Sequence, residues 1–143
     1  MKFEKVLYEV SEILHEEITD SKSNLFTQPE FKKISMSQWC YLEAIYALGS
    51  PTYTQLAEKL KYTKASVSIS IKKLIDKGYV KKDKSPEDQR ASIISLTEKG
   101  VLAVGQHIEA HLEFARNLQK YLSDEQVESL IEISEVIIKN FKR

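Results

Sequence analysis

Apolar residues recur with a helical period through most of the chain. Phe3, Val6, Leu7, Val10, Ile13, Leu14 and Ile18 fall on one face of a first helix of about five turns. The stretch 21–33, SKSNLFTQPEFKK, is polar, holds a proline and reads as a connector. Ser35 is placed to cap a second helix, MSQWCYLEAIYAL, which stops at Gly49-Ser50-Pro51. Thr54 caps a short third helix, QLAEKL. Thr63 caps a fourth, from Lys64 to Lys77, with the apolar stripe Val67, Ile71, Leu74 and Ile75. Gly78 suits the left-handed position that ends it. Tyr79 to Lys82 and Ile93 to Leu96 are short strand-like runs separated by a polar loop, DKSPEDQRAS, and so predict a long hairpin. Thr97 starts a fifth helix that reaches about Leu122. Ser123 and Gln126 form a capping box for a sixth, with Val127, Leu130, Ile131, Ile137, Ile138 and Phe141 on one face. No internal repeat is visible.

This order predicts a mainly α fold. Two short helices joined by a tight turn and followed by a small β-hairpin make a winged helix-turn-helix, here over 34–98. Helical segments at 1–33 and 99–143 flank it in one continuous domain. The 143 residues suffice for a single buried core. One cysteine cannot form an internal disulfide, which points to a reducing compartment and a cytoplasmic protein. No apolar run approaches the ~20 residues of a membrane span, and the amphipathic start MKFEKVLYEV lacks the apolar run of a signal peptide.

Net charge is zero, yet charge is segregated. Ten basic and four acidic residues lie between Lys59 and Arg90, so this segment is +6 and the remainder −6. A basic block on the second helix of a helix-turn-helix and on its hairpin is an anion-binding surface, and double-stranded DNA is its expected partner. The face of 64–77 opposite Val67, Ile71 and Leu74 carries Lys64, Ala65, Ser66, Ser68, Ile69, Lys72 and Lys73. Lys64 can donate to guanine O6/N7 and Ala65 can touch a thymine methyl. Ser66 and Ser68 can bond bases or phosphate. Lys72 and Lys73 suit phosphates, as do Lys82 and Lys84 of the hairpin and the capped helix starts near Thr54 and Thr63. The alternative is a winged-helix protein-interaction module without DNA binding. An enzyme is not expected. No P-loop, GxGxxG, nucleophile elbow or paired-carboxylate signature is present, and HIEAH lacks the glutamate placement of H-E-x-x-H. No cofactor is required by any motif.

The runs ISMSQWCYLEAI and TQLAEKLKYTKASVSISIKKLIDKGYVKKDKSPEDQRASIISLTEKG resemble the MarR family of bacterial and archaeal transcriptional regulators. The match is most specific from Leu74 to Gly100, with a helix ending at Lys77-Gly78, a D-x-R wing and LTEKG. The resemblance implies a homodimer in which 1–33 and 99–143 form the dimerisation region. Two recognition helices would then stand roughly 34 Å apart and read a pseudo-palindromic operator, most simply as a repressor. It also implies that Arg90 of the wing enters a minor groove, with Asp88 holding it by a charge-assisted bond. Many members carry Arg where this chain has Ile69, which cannot hydrogen-bond a base. Sequence preference should therefore differ, with more methyl contact.

An effector is expected, and two classes compete. His107 and His111 in GQHIEAH are four apart on one helix face, a zinc-ligand spacing. Zinc-responsive repressors of metal uptake within the family take ligands at positions matching Cys40, His107 and His111. Their acidic first-helix ligand has no clear match, which leaves Asp20 or Glu17 as substitutes. Their second metal site has no match, since Trp39 and Gln106 replace acidic residues. The rival is a small anionic aromatic molecule lined by Tyr8, Phe31, Trp39, Tyr41 and Tyr46. Redox sensing by Cys40 is less favoured, because family peroxide sensors carry their cysteine in the first helix.

Overall fold

The computed structural model describes residues 2–88 and 90–141, leaving out the side chains of 17–25. The elements among the described residues are α1 (Lys2–Leu25), a 3₁₀ turn (Pro29–Lys33), α2 (Met36–Leu48), α3 (Tyr53–Leu60), α4 (Lys64–Asp76), β1 (Val80–Lys84), β2 (Ser92–Leu96), α5 (Glu98–Gln119) and α6 (Asp124–Phe141). The order is a winged helix-turn-helix with helices before and after it. The strands form one antiparallel ladder in register Val80↔Leu96 to Lys84↔Ser92.

Two compact units result, Lys22–Ile108 and Met1–Ser21 with Glu109–Arg143. The first holds the core. Leu42 and Ile45 of α2, Leu56 of α3, Val67, Ile71 and Leu74 of α4 and Ile94 of β2 are fully buried. Each contributes about 1.5–3 kcal/mol by leaving water. This unit reaches beyond 34–98 for a packing reason. Phe26 stacks on Trp39 at 5.8 Å and meets Phe31 edge-on at 6.1 Å, while Ala103 and Val104 of α5 join the same cluster. Thr27 and Gln106 add a reciprocal pair of hydrogen bonds, at 3.1 and 2.8 Å.

Three boundaries depart from the pattern. The segment 21–33 is no simple connector. α1 continues to Leu25, and Pro29 opens a 3₁₀ turn that seats Phe31 in the core. The cap of α3 is Thr52 rather than Thr54. Thr52 Oγ1 accepts from Gln55 N at 3.2 Å while Gln55 Oε1 accepts from Thr52 N at 2.8 Å, so Thr54 falls inside the first turn. β1 runs on to Lys84, because the ladder keeps pairing through Asp83↔Ile93 and Lys84↔Ser92. The predicted caps Ser35, Thr63 and Ser123 each accept a bond from the backbone N–H three residues on.

The junction from α4 to α5 is closely tied. Gly78 takes φ 76°, as the end of α4 requires. Thr97 Oγ1 donates to Gly78 O at 2.6 Å and accepts from Gly100 N at 3.1 Å. Lys99 Nζ lies 3.1 Å from Glu30 Oε1, donates to Lys77 O at 3.2 Å and stands 4.6 Å from the Tyr79 ring centroid. The Lys99 hydrogen bond holds the Glu30 carboxyl below its ordinary value. Burial pushes the Tyr79 phenol up, and the Glu30 charge adds to it.

The second unit is different in kind. α6 has no buried residue, and Ile131, Ile133, Val136, Ile137 and Phe141 are exposed, as are Phe3, Val6, Leu7, Val10 and Ile13 of α1. Val10, Ile13, Leu14, Phe114, Leu118 and Tyr121 line an apolar groove of about 510 Å³. Among the described residues no helix is long and apolar enough to cross a membrane.

The α4–α5 junction makes a sharp prediction. A Cβ on Gly100 would lie 2.1 Å from Tyr79 O, a backbone atom that cannot step aside, whereas a Cβ on Gly105 meets nothing within 4 Å. Gly100→Ala is expected to cost about 1–3 kcal/mol or more, and Gly105→Ala to add about 0.5–1 kcal/mol of helix propensity. Urea denaturation of both variants checks the pair, and equal midpoints would refute the close approach.

Candidate functional site

The orientation of α4 follows from its buried stripe. With Val67, Ile71 and Leu74 excluded from water, Lys64, Ala65, Ser66, Ser68, Ile69, Lys72 and Lys73 all stand exposed on the remaining surface of the helix. The turn before it is set by Lys61, which caps α3 in the left-handed region at φ 56°. Thr63 then leaves the helix path, and its Oγ1 accepts from Ser66 N at 3.2 Å and donates to Ser66 Oγ at 2.9 Å. The Ser66 hydroxyl is thereby held at the helix start, beside open first-turn N–H groups that favour an anion.

The wing closes on itself by backbone bonds. Ser85 N donates to Ala91 O and Ala91 N to Asp88 O, both at 2.9 Å. Asp88 bonds Arg90 through the main chain, its carboxylate accepting from a backbone N–H. Its Oδ1 accepts from the Arg90 backbone N–H at 2.9 Å. The two-residue spacing favours this turn bond over a carboxylate–guanidinium pair. The Arg90 residue stays exposed, available to a partner. Lys82 lies 5.5 Å from the Tyr53 ring centroid, at the start of α3, and burial pushes the Tyr53 phenol up. Lys84 is exposed.

A second cluster lies on α2 and the unbroken helix α5. His107 is buried, its ring stacked on Trp39 at 4.1 Å and 9°, and its Nε2 lies 2.9 Å from Glu43 Oε1. His111 follows one turn on. Glu43, His107 and His111 each offer a ligand atom, and these atoms lie within 4.8 Å of one another. The expected histidine pair is therefore joined by Glu43. Cys40 is half-buried and is not part of the group. The reason is helical phase. Trp39 and Glu43 are one turn apart and both meet His107, while Cys40 is rotated roughly 100° from Trp39. Glu43 is the single acid of α2, and that was its only sequence signal. Asp20 and Glu17, the proposed acidic ligands, lie outside the described side chains. One carboxylate and two imidazoles match the donor preference of zinc, with a fourth position left for water.

The five aromatic candidates differ in burial. Phe31, Trp39 and Tyr41 are core residues, at most 4% exposed, while Tyr8 and Tyr46 are more than half exposed.

The MarR family model matches residues 34–92. The chain is 30% identical over 142 residues to YdgG of Bacillus subtilis (strain 168), described as an uncharacterized HTH-type transcriptional regulator, covering 98% of this chain and 88% of the relative. It is 28% identical over 101 residues to the transcriptional regulator ZitR of Lactococcus lactis subsp. cremoris (strain MG1363), covering 68% and 70%. Its fold superposes on Streptococcus pneumoniae FabT, solved in complex with DNA, with a TM-score of 0.80, 21% identity and coverage of 98% and 97%. These relatives are regulators rather than enzymes. With helix-turn-helix, wing and caps in place, the chain belongs to the MarR family of DNA-binding transcriptional regulators.

Proposed function

We propose that the protein is a cytoplasmic, homodimeric repressor that reads a pseudo-palindromic operator under the control of an effector. The observation that carries this reading is the outward surface of α4. Its lysines and short polar side chains are presented by a stripe that cannot turn away from the core. Lys64 and Ala65 face base edges, Ser66 and Ser68 bases or phosphate, and Lys72, Lys73 and Lys84 phosphates. Lys82 is drawn toward Tyr53 and reaches the backbone near the start of α3. Arg90 is the minor-groove residue. The uncovered apolar residues of α1 and α6 and the groove lined by Val10, Ile13 and Phe114 support a second copy as their cover. The dimerisation region is 1–33 with 99–143, and 34–98 carries the DNA-reading elements.

Zinc is the effector that the donor set supports best. Glu43, His107 and His111 would hold it, and a bound Zn²⁺ would supply a fixed link between α2 and α5. Glu43 already orients the His107 ring, and the Trp39 face limits its rotation.

Two measurements test these readings. In a mobility-shift assay on its own promoter, affinity should fall steeply with salt, as lysines and arginine release counterions. Arg90→Ala should weaken binding about ten-fold or more, leaving sedimentation and melting unchanged. Unaltered affinity would remove the wing from the interface. In zinc titration, one equivalent per chain should alter the emission of Trp39, the chain's single tryptophan, because its ring stacks on His107. The exposed His111→Ala should abolish the response, Glu43→Gln should weaken it, and Cys40→Ser should retain it. Equal zinc uptake by wild type and His111→Ala would end the metal reading.

A further inference from the structure

We infer that Ile69, with Ala65 one turn before it, reads thymine C5-methyl groups in the major groove and is the main determinant of sequence preference on α4. The inference rests on the DNA-binding reading of that helix. Ile69 is 60% exposed, although Val67 and Ile71 on either side of it in the sequence are fully buried. A single exposed isoleucine on a protein surface is ordinary. This one is set apart by its neighbours. Lys64 stands toward the N-terminal end of the helix, Lys72 and Lys73 toward the other, and Ser66 and Ser68 beside it, all exposed. Cations at both ends suit the two phosphate backbones that border a groove. The side chain midway between them then lies over the groove floor.

The chemistry of that floor selects the ligand. An isoleucine offers no donor or acceptor, so it cannot use N7, O6, O4 or an exocyclic amine. The one apolar group on a major-groove edge of unmodified DNA is the thymine methyl. Ala65 lies four residues before Ile69, so both methyl-bearing side chains share one line along the helix, enough for two neighbouring thymines. The serines there have short arms, and Thr63 already engages Ser66 through Oγ and N. Hydrogen-bond readout from the centre of this helix is therefore sparse, and methyl contact takes its place.

The experiment uses the full-length dimer and two forms of the same DNA. High-affinity duplexes are selected from a random library, and the best is resynthesised with deoxyuridine at each thymine in turn. Wild type should lose about four-fold in affinity for each contacted methyl and about fifteen-fold when both half-sites are changed. Ile69→Ala is at a solvent-exposed position and should fold normally. It should lose the sensitivity to uracil at the thymine that Ile69 contacts while keeping that at the thymine under Ala65, and Ile69→Val should fall between. Indifference of the wild type to every uracil replacement would overturn the inference, and so would undiminished methyl sensitivity in Ile69→Ala. Failure to enrich any duplex would instead overturn DNA reading by α4 as a whole, and the two failures are thereby told apart.

Discussion

The packing of Val67, Ile71 and Leu74 into the core is the constraint on which the proposed DNA-reading surface depends. Three side chains at a helical interval, each excluded from water, together stabilise one rotational setting of α4 by several kcal/mol. A helix of 13 residues has little stability of its own in water, so this packing also decides that it exists. Everything proposed for its outer surface follows. Rotation by one residue position, about 100°, would bury Ser68 and Lys72 and expose the stripe. The cap at Thr63 and the left-handed Lys61 then fix where the helix begins, and hence which residues stand at its anion-favouring end.

Charge segregation works on a second level. The +6 segment and the balancing acidity elsewhere leave the chain neutral overall. A neutral protein has little non-specific attraction for a polyanion at long range, while the local excess still acts within a Debye length of about 8–10 Å. Such a distribution favours contact through one surface and disfavours adsorption through any other. Lys77 of this segment and Lys99 just beyond it show that some of these cations are engaged within the protein itself. Lys77 donates to Gln38 Oε1 at 3.2 Å, and Lys99 is engaged by Glu30 and the Tyr79 ring. Their charge serves the joints of the fold.

Much of this was legible in the amino-acid sequence because it is periodic or local. Helical stripes, the cap at Ser35, the capping box at Ser123 and the glycine at 78 all act within a few residues, so one dimension suffices to see them. The capping threonine of α3 was ambiguous for the same reason. Thr52 and Thr54 both precede the helix, and only the reciprocal bond with Gln55 separates them. The segment 21–33 reads as a connector because its polar composition hides two aromatic anchors, Phe26 and Phe31, whose burial is a tertiary fact. Glu43 shows the limit most clearly. The pairing of His107 with His111 is written along α5, but the third donor comes from another helix, through the stacking of Trp39 on His107. Residue type alone also could not say that Trp39 and Tyr41 were committed to the core.

The same helix links the two candidate sites. α2 presents Glu43 to His107 and buries Leu42 and Ile45 in the core that α4 completes. To surround a tetrahedral ion with bonds of about 2 Å the donor atoms would stand about 3.3 Å apart, so the Glu43–His107 pair at 2.9 Å would open slightly and separations nearer the 4.8 Å limit would close. The required movement is at most about 1.5 Å, the scale of the helix shifts that switch other regulated assemblies. A close-packed core transmits such a shift rather than absorbing it. Metal binding would change DNA affinity only as far as the donors are nearer that spacing in one arrangement of α2 than in another. A ten-fold effect needs about 1.4 kcal/mol of difference, a small share of the energy of three metal–ligand bonds. Coupling of this kind therefore requires no long relay, because Glu43 and the residues that seat α4 share one rigid helix.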